Sequence, residues 1–271
     1  MEILSTIFGK KKYVVNKKKR RVTARFDSIE LHEHRNVVVA VCRDTSSCPY
    51  RMRIYFWDKA TEKALDYGDV DRYTNLGVDM FALRTDELWT IYDFEGYPIR
   101  DEISYFTKCK NMDKYIVHID GKVYFASEKF ELLAGPFVSA TDFDAYGYAV
   151  VQTDYEYFTL LNKEFKQVFE PVNSEQLTPL SKEYIRVRKN GFYGVINLEK
   201  KEIIPMLYDR IAWQRHNHFE LMYNRKLGLA NIKGEVVFEC LYDEIMETPD
   251  KFVVKDFARI ESTKTLESAK N

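Results

Sequence analysis

Met206–Ile211 reads MLYDRI, and thirty-four residues further on Cys240–Ile245 reads CLYDEI. The agreement extends to both sides. YGVINLEKKEIIPMLYDRI from Tyr193 aligns with LGLANIKGEVVFECLYDEI from Leu227, pairing Gly194 with Gly228, Asn197 with Asn231 and Tyr208-Asp209 with Tyr242-Asp243. A fixed internal period is the signature of a repeat architecture, in which units that cannot bury both faces alone stack on their neighbours. Counting back from Asn197 by about one period at a time reaches Asn162, Ser127, Asp93, Asp58 and Asn16. The last step is longer because of a Ser-rich insertion at CRDTSSCPY. With Asn231 this gives seven copies. Asn, Asp and Ser recur at the anchor because a hairpin turn favours side chains that hydrogen-bond their own backbone and tolerate left-handed φ.

Each copy carries a second short apolar or alternating run: NVVVAV, MFALR, KYIVHI, GYAVV, EYIRVR, HFELMY and KFVVKD. Period-two alternation predicts half-buried strands. The tail ARIESTKTLESAKN is polar and reads as frayed or as a short helix. The 18 Phe, 19 Tyr and 3 Trp suit strands and supply a large apolar core.

The aromatic-Gly-φ-φ-Asn pattern, followed by φ-φ-Pro-x-x-Tyr-Asp-x-Ile (φ being an apolar residue), resembles the bacterial WG-repeat family. The Trp slot holds Trp89, Phe158, Tyr193 and Leu227, and the Gly slot holds glycine at 194 and 228. The resemblance implies tandem β-repeats with a binding or scaffold role, and it brings no catalytic residues. The expected fold is all-β: one domain over residues 1–257 made of seven antiparallel repeats, followed by a polar tail over 258–271. The repeats are expected to close as a seven-bladed β-propeller, which leaves only short, protected edges. KFVVK would tie the ring by pairing beside the first unit. In the alternative, an open array, EILSTIF completes the first unit and KFVVK is an ordinary cap.

A formal charge of −1 gives no global pull toward nucleic acid. No apolar run is long enough to span a membrane, and the N-terminal basic residues follow the apolar ones, the reverse of a signal peptide. Four cysteines without CxxC spacing point to free thiols in a reducing cytoplasm, with a Cys42–Cys48 pair as the minor alternative. Nothing specifies an oligomer, so a monomer is expected.

The Tyr-Asp pair looks catalytic in isolation, but Phe26-Asp27 fills the same slot, so the ring is needed and the hydroxyl is not. The aromatic is expected to pack between units and the Asp to cap a turn. The basic run from Lys10 to Arg21 could contact phosphates, but it reads first as a solvated turn with edge-protecting lysines. Four of the five histidines fall after Tyr-Asp-type strands: His32 and His34 in ELHEHRN, His216 and His218 in WQRHNHF. Read as loops on one face, these segments place His32, His34, Arg35, Trp213, Arg215, His216 and His218 as a candidate protein-binding patch, with Trp and Arg as anchors. Glu30, His32 and His34 alternate and offer a metal reading that weighs less. No phosphate loop, nucleophile elbow or HExxH is present, so neither catalytic residues nor a cofactor are expected. The functional expectation is a non-enzymatic interaction module. Its alternative is a small-molecule, glycan or enzymatic site on one face or in a central channel.

Overall fold

The computed structural model describes residues 1–5, 11–33, 37–44, 52–77, 79–110, 112–214, 217–248, 251–256 and 264–267. All its regular elements are strands, and none of the described residues is helical. Its packing divides into two units, residues 1–108 with 112–135 and residues 109–111 with 136–271.

The first unit opens with the hairpin β1 (Glu2–Ser5) and β2 (Lys12–Val15). A four-stranded sheet follows: β3 (Ser28–Glu33), β4 (Val37–Arg43), β5 (Met52–Asp58) and β6 (Ala64–Val70). Next come β7 (Arg72–Asn75), β8 (Met80–Thr85), β9 (Leu88–Asp93), β10 (Pro98–Lys108), β11 (Tyr115–Ile119), β12 (Lys122–Ala126) and β13 (Leu132–Phe137). These seven form one sheet because β10 is long enough to end one repeat and begin the next. Its register breaks on both sides of Ile103, beside Glu102 at φ 57°.

The second unit holds three four-stranded sheets. The first is β14 (Ser139–Ala140), β15 (Ala149–Asp154), β16 (Tyr157–Leu161) and β17 (Val172–Asn173). The second is β18 (Gln176–Pro179), β19 (Tyr184–Lys189), β20 (Phe192–Asn197) and β21 (Glu202–Tyr208). The third is β22 (Arg210–Gln214), β23 (His218–Tyr223), β24 (Lys226–Asn231) and β25 (Val236–Tyr242). A three-stranded sheet of β26 (Glu244–Glu247), β27 (Lys251–Lys255) and β28 (Lys264–Glu267) ends the unit. Hydrogen-bonded neighbours in every sheet are consecutive strands.

All seven anchors sit at the predicted turn. Asn231 is representative: its Oδ1 accepts the Lys233 and Glu235 N–H groups at 2.9 and 3.0 Å, and its own N–H donates to the Glu235 carbonyl. Asp93, Ser127 and Asn162 accept from the same two positions, and Asn16 and Asn197 from the second of them. The residue three after the anchor has positive φ at Lys19, Gly96, Phe130, Phe165, Lys200 and Gly234. At Asp58 the turn is one residue longer and Glu62 takes that role. The same turn also occurs at Asp144, outside the repeat register read from sequence.

The second recurring run of each copy is a strand, as expected, but the sheets are out of phase with the sequence repeat. Each joins the closing strand of one copy to the anchor strand of the next. Two-residue turns with both φ values positive make these joins at Asp86-Glu87, Asp120-Gly121, Asn190-Gly191 and Asn224-Arg225. This is the turn whose twist matches a hairpin.

Gly194 and Gly228 are held by close strand approach. A Cβ at Gly228 would lie 2.7 Å from the Phe238 carbonyl oxygen and 2.9 Å from the Cys240 nitrogen; at Gly194 it would meet the Ile204 oxygen at 2.8 Å. The cause is a bulge. Leu227 pairs with Tyr242 and Leu229 with Phe238, so β25 carries extra residues over the glycine.

The chain ends differ from the sequence expectation. Lys264–Glu267, expected in a frayed or helical tail, form β28 on β27. Both edges of β27, the KFVVK strand, are taken by β26 and β28, so it does not pair beside the first unit. β1 pairs with β2, which is the end arrangement of the cap reading. Cys42 is a free, buried thiol, and Cys48 lies outside the described residues.

Candidate interaction surface

The Tyr-Asp motif sorts its side chains by strand alternation. Tyr208 packs into the core that joins the β18–β21 and β22–β25 sheets, and Tyr242 is buried with Phe238, Phe252 and Val254. Asp209 accepts the Asn224 N–H at 2.7 Å and so caps the next hairpin turn. Asp243 and Asp27 instead meet Lys226 Nζ at 2.7 Å and Lys11 Nζ at 2.9 Å.

Successive strand residues face opposite ways, so the residue before each inward tyrosine points out. Leu207 and Leu241 are 60% and 62% exposed. Leu207 borders a groove of about 320 Å³ in the second unit, with Phe192, Tyr223 and Val236 beside it and Tyr208 and Leu221 deeper in. Phe192, Tyr223 and Val236 are each more than two-fifths exposed. Cys240 and Glu239 complete the lining. Burial pushes both the Cys240 thiol and the Tyr208 phenol up, and Glu239 adds to each shift. Both therefore stay protonated at neutral pH, and Glu239 is the one charge in the lining. A thiol held protonated is a poor nucleophile, and the groove's lining is mainly apolar.

Of the patch expected from sequence, the described residues His32, Trp213 and His218 lie on strands rather than in loops. His34, Arg35, Arg215 and His216 lie outside the described residues. His32 is on β3, with its ring 4.8 Å from that of Tyr73. Trp213 is on β22, half-buried, stacked on Tyr184 at 5.8 Å and edge-on to Phe219 at 5.1 Å. His218 is on β23, with its ring 5.0 Å from Phe252. Trp213 pairs directly with Phe219, the neighbour of His218, so Trp213 and His218 occupy opposite faces of one sheet. Around Trp213 and His218 the strands run further than the apolar pattern indicated.

The basic run is partly neutralised. Lys11 contacts Asp27 and Asp44, Lys18 contacts Glu62 at 2.6 Å, and Lys19 contacts Glu2. These partners hold the Glu62 and Glu2 carboxyls below their ordinary range. Lys10 lies outside the described residues.

With this geometry in view, the family model described as "WG containing repeat" matches residues 193–213 and 228–260. No curated protein matches the chain. Among solved structures, BamB from Moraxella catarrhalis is similar at 9% identity and TM-score 0.31, over 94% of this chain and 93% of that one. A eukaryotic initiation factor aligns at 10% identity and TM-score 0.40, over 93% and 77%. PorZ, a surface component of the type-IX secretion system of Porphyromonas gingivalis, aligns at 11% identity and TM-score 0.33, over 90% and 39%.

Proposed function

From the match of residues 193–213 and 228–260 to the WG containing repeat, we propose that the chain is a WG-repeat protein acting as a non-enzymatic protein-interaction module. In this reading the contact surface is the apolar groove between the β18–β21 and β22–β25 sheets, and the occupant is an extended apolar segment of a partner protein. The observation that carries the reading is the repeated outward leucine. Leu207 stands exposed beside a groove lined mainly by aromatic and aliphatic side chains, and Leu241 is its exposed counterpart in the next repeat. Exposed apolar surface of this kind marks interaction sites in soluble proteins, and buried aromatic anchors dominate interface energetics. Closure of the seven repeats into a ring belongs to the same proposal. Small-angle scattering tests it, with a compact globular profile expected and an extended one against it. A second reading takes the groove as a small-molecule or glycan site, since its volume falls at the lower end of the ligand-pocket range of roughly 300–1,000 Å³.

Affinity capture from native extract separates these readings. The full chain should retain a protein in stoichiometric amount, and the Leu207→Asp, Val236→Asp variant should lose it while keeping its melting temperature. Capture that survives the double variant, or no stoichiometric protein at all, contradicts the interaction module.

A further inference from the structure

A cavity of about 660 Å³ lies in the first unit, at the anchor-turn end of the sheet shared by β7 to β13. One wall is apolar: Leu76, Met80, Phe94, Ile99 and Tyr115. Tyr115 is held rigidly, its ring stacked on Phe130 at 4.4 Å. The other wall is charged. Five acids against two lysines leave a net charge of −3 on the lining.

Two of the acids already have internal work. Asp93 caps its turn through the Glu95 and Tyr97 N–H groups. Asp113 pairs with Lys108 at 2.7 Å. Asp79, Glu128 and Glu131 are exposed, while the apolar lining residues Leu76, Met80 and Ile99 are half-buried. No three carboxylates among the described residues converge as a metal site would require. The acids are spread along the rim, so the arrangement suits cations that bring their own apolar stem. Lysine and arginine side chains do this, laying methylenes along an apolar surface while the charged head stays at its edge.

We propose that this cavity docks a basic, amphipathic segment of a partner protein, with apolar side chains on the Leu76–Met80–Ile99 floor and Lys or Arg heads at Asp79, Glu128 and Glu131. The assignment rests on charge and shape complementarity in the first unit and does not depend on the apolar groove of the second. Such a site favours association through complementary potential and is sensitive to salt.

The test uses the full chain and a fluorescein-labelled hexapeptide alternating leucine and lysine, followed by anisotropy. Binding should weaken at least about tenfold in the Glu128→Lys, Glu131→Lys variant. Both side chains are solvent-exposed, so the melting temperature should hold. The corresponding leucine–glutamate peptide should not bind, and Leu207→Asp should leave lysine-peptide binding intact. Four results overturn the proposal: no binding of the lysine peptide, equal binding of the glutamate peptide, unchanged affinity in the charge-reversed variant, or displacement by spermidine as effective as by unlabelled peptide. The last would assign the cavity to a free polyamine.

Discussion

Gly228→Ala puts the repeat's construction to a test in which even the sign is decisive. Gly228 sits inside β24 without a positive φ, so alanine meets no backbone penalty there. On propensity alone the change should stabilise by about 0.5–1 kcal/mol. The bulge in β25 reverses this. The new Cβ would lie 2.7 Å from the Phe238 oxygen, 2.8 Å from Cys240 Sγ and 2.9 Å from the Cys240 nitrogen. Two of these atoms are backbone, so β25 must move as a strand. Overpacking of this kind costs about 1–3 kcal/mol, leaving a net loss of roughly 1–2 kcal/mol after the propensity gain. For a domain of this size each kcal/mol moves the melting temperature by about 2–4 °C. Thermal denaturation followed by far-ultraviolet circular dichroism reads the shift. Amide exchange localises it to β24 and β25, since repeat arrays need not unfold as one unit. An unchanged or raised melting temperature would show that β25 does not lie over the glycine, and the physical reason given for the Gly slot would fall.

Other expectations are more local. Trp213→Ala should destabilise by about 2 kcal/mol, roughly half the cost of truncating a fully buried aromatic, because Tyr184 and Phe219 cover its ring; a melting temperature that stays put would restore it as an exposed anchor. Thr159 is fully buried and its Oγ donates to the Phe169 carbonyl at 2.5 Å. Thr159→Val should therefore cost about 1–3 kcal/mol by leaving that oxygen unpaired, read by denaturant unfolding, and a neutral result would mean the carbonyl finds another donor. The hydrogen bond and charge of Lys108 hold the Asp113 carboxyl below its ordinary value of 3.8. A depressed folded value means that the pair's contribution is present above the ordinary value and lost as pH falls through the folded one. A carbon-13 titration of Asp113 should have its midpoint below 3.8 and move upward in Lys108→Met; an unmoved midpoint would remove the ion pair from the account.

The anchors were the most legible feature. A turn that needs a side chain accepting from its own backbone admits few residue types, so Asn16, Asp58, Asp93, Ser127, Asn162, Asn197 and Asn231 announce themselves across eroded repeats. The phase of the sheets was harder to see. It depends on two-residue turns that take Asp-Gly and Asn-Gly in two copies but Asp-Glu and Asn-Arg in two others, so the glycine signal is broken. The candidate surface was hidden for a different reason. Leu207 and Leu241 stood inside the quoted motif, where only the Tyr-Asp pair had been given a role. Strand alternation beside an inward Tyr208 and Tyr242 already required them to face out. Trp213 misled in the opposite direction, since its place after the Tyr-Asp strand looked like a loop until the pairing of Trp213 with Phe219 extended the strand past it.

The interaction reading is met most directly by a photo-cross-linking amino acid placed at Leu207 in the intact protein and irradiated in the native host. Leu88, 43% exposed at the start of β9, serves as the matched control. The account predicts one discrete adduct of higher mass from position 207, containing a protein, and none of that mass from position 88. Identical adducts from both positions, or none from 207 with the protein folded, would contradict the claim that the groove beside the repeated leucine is where this protein meets its partner.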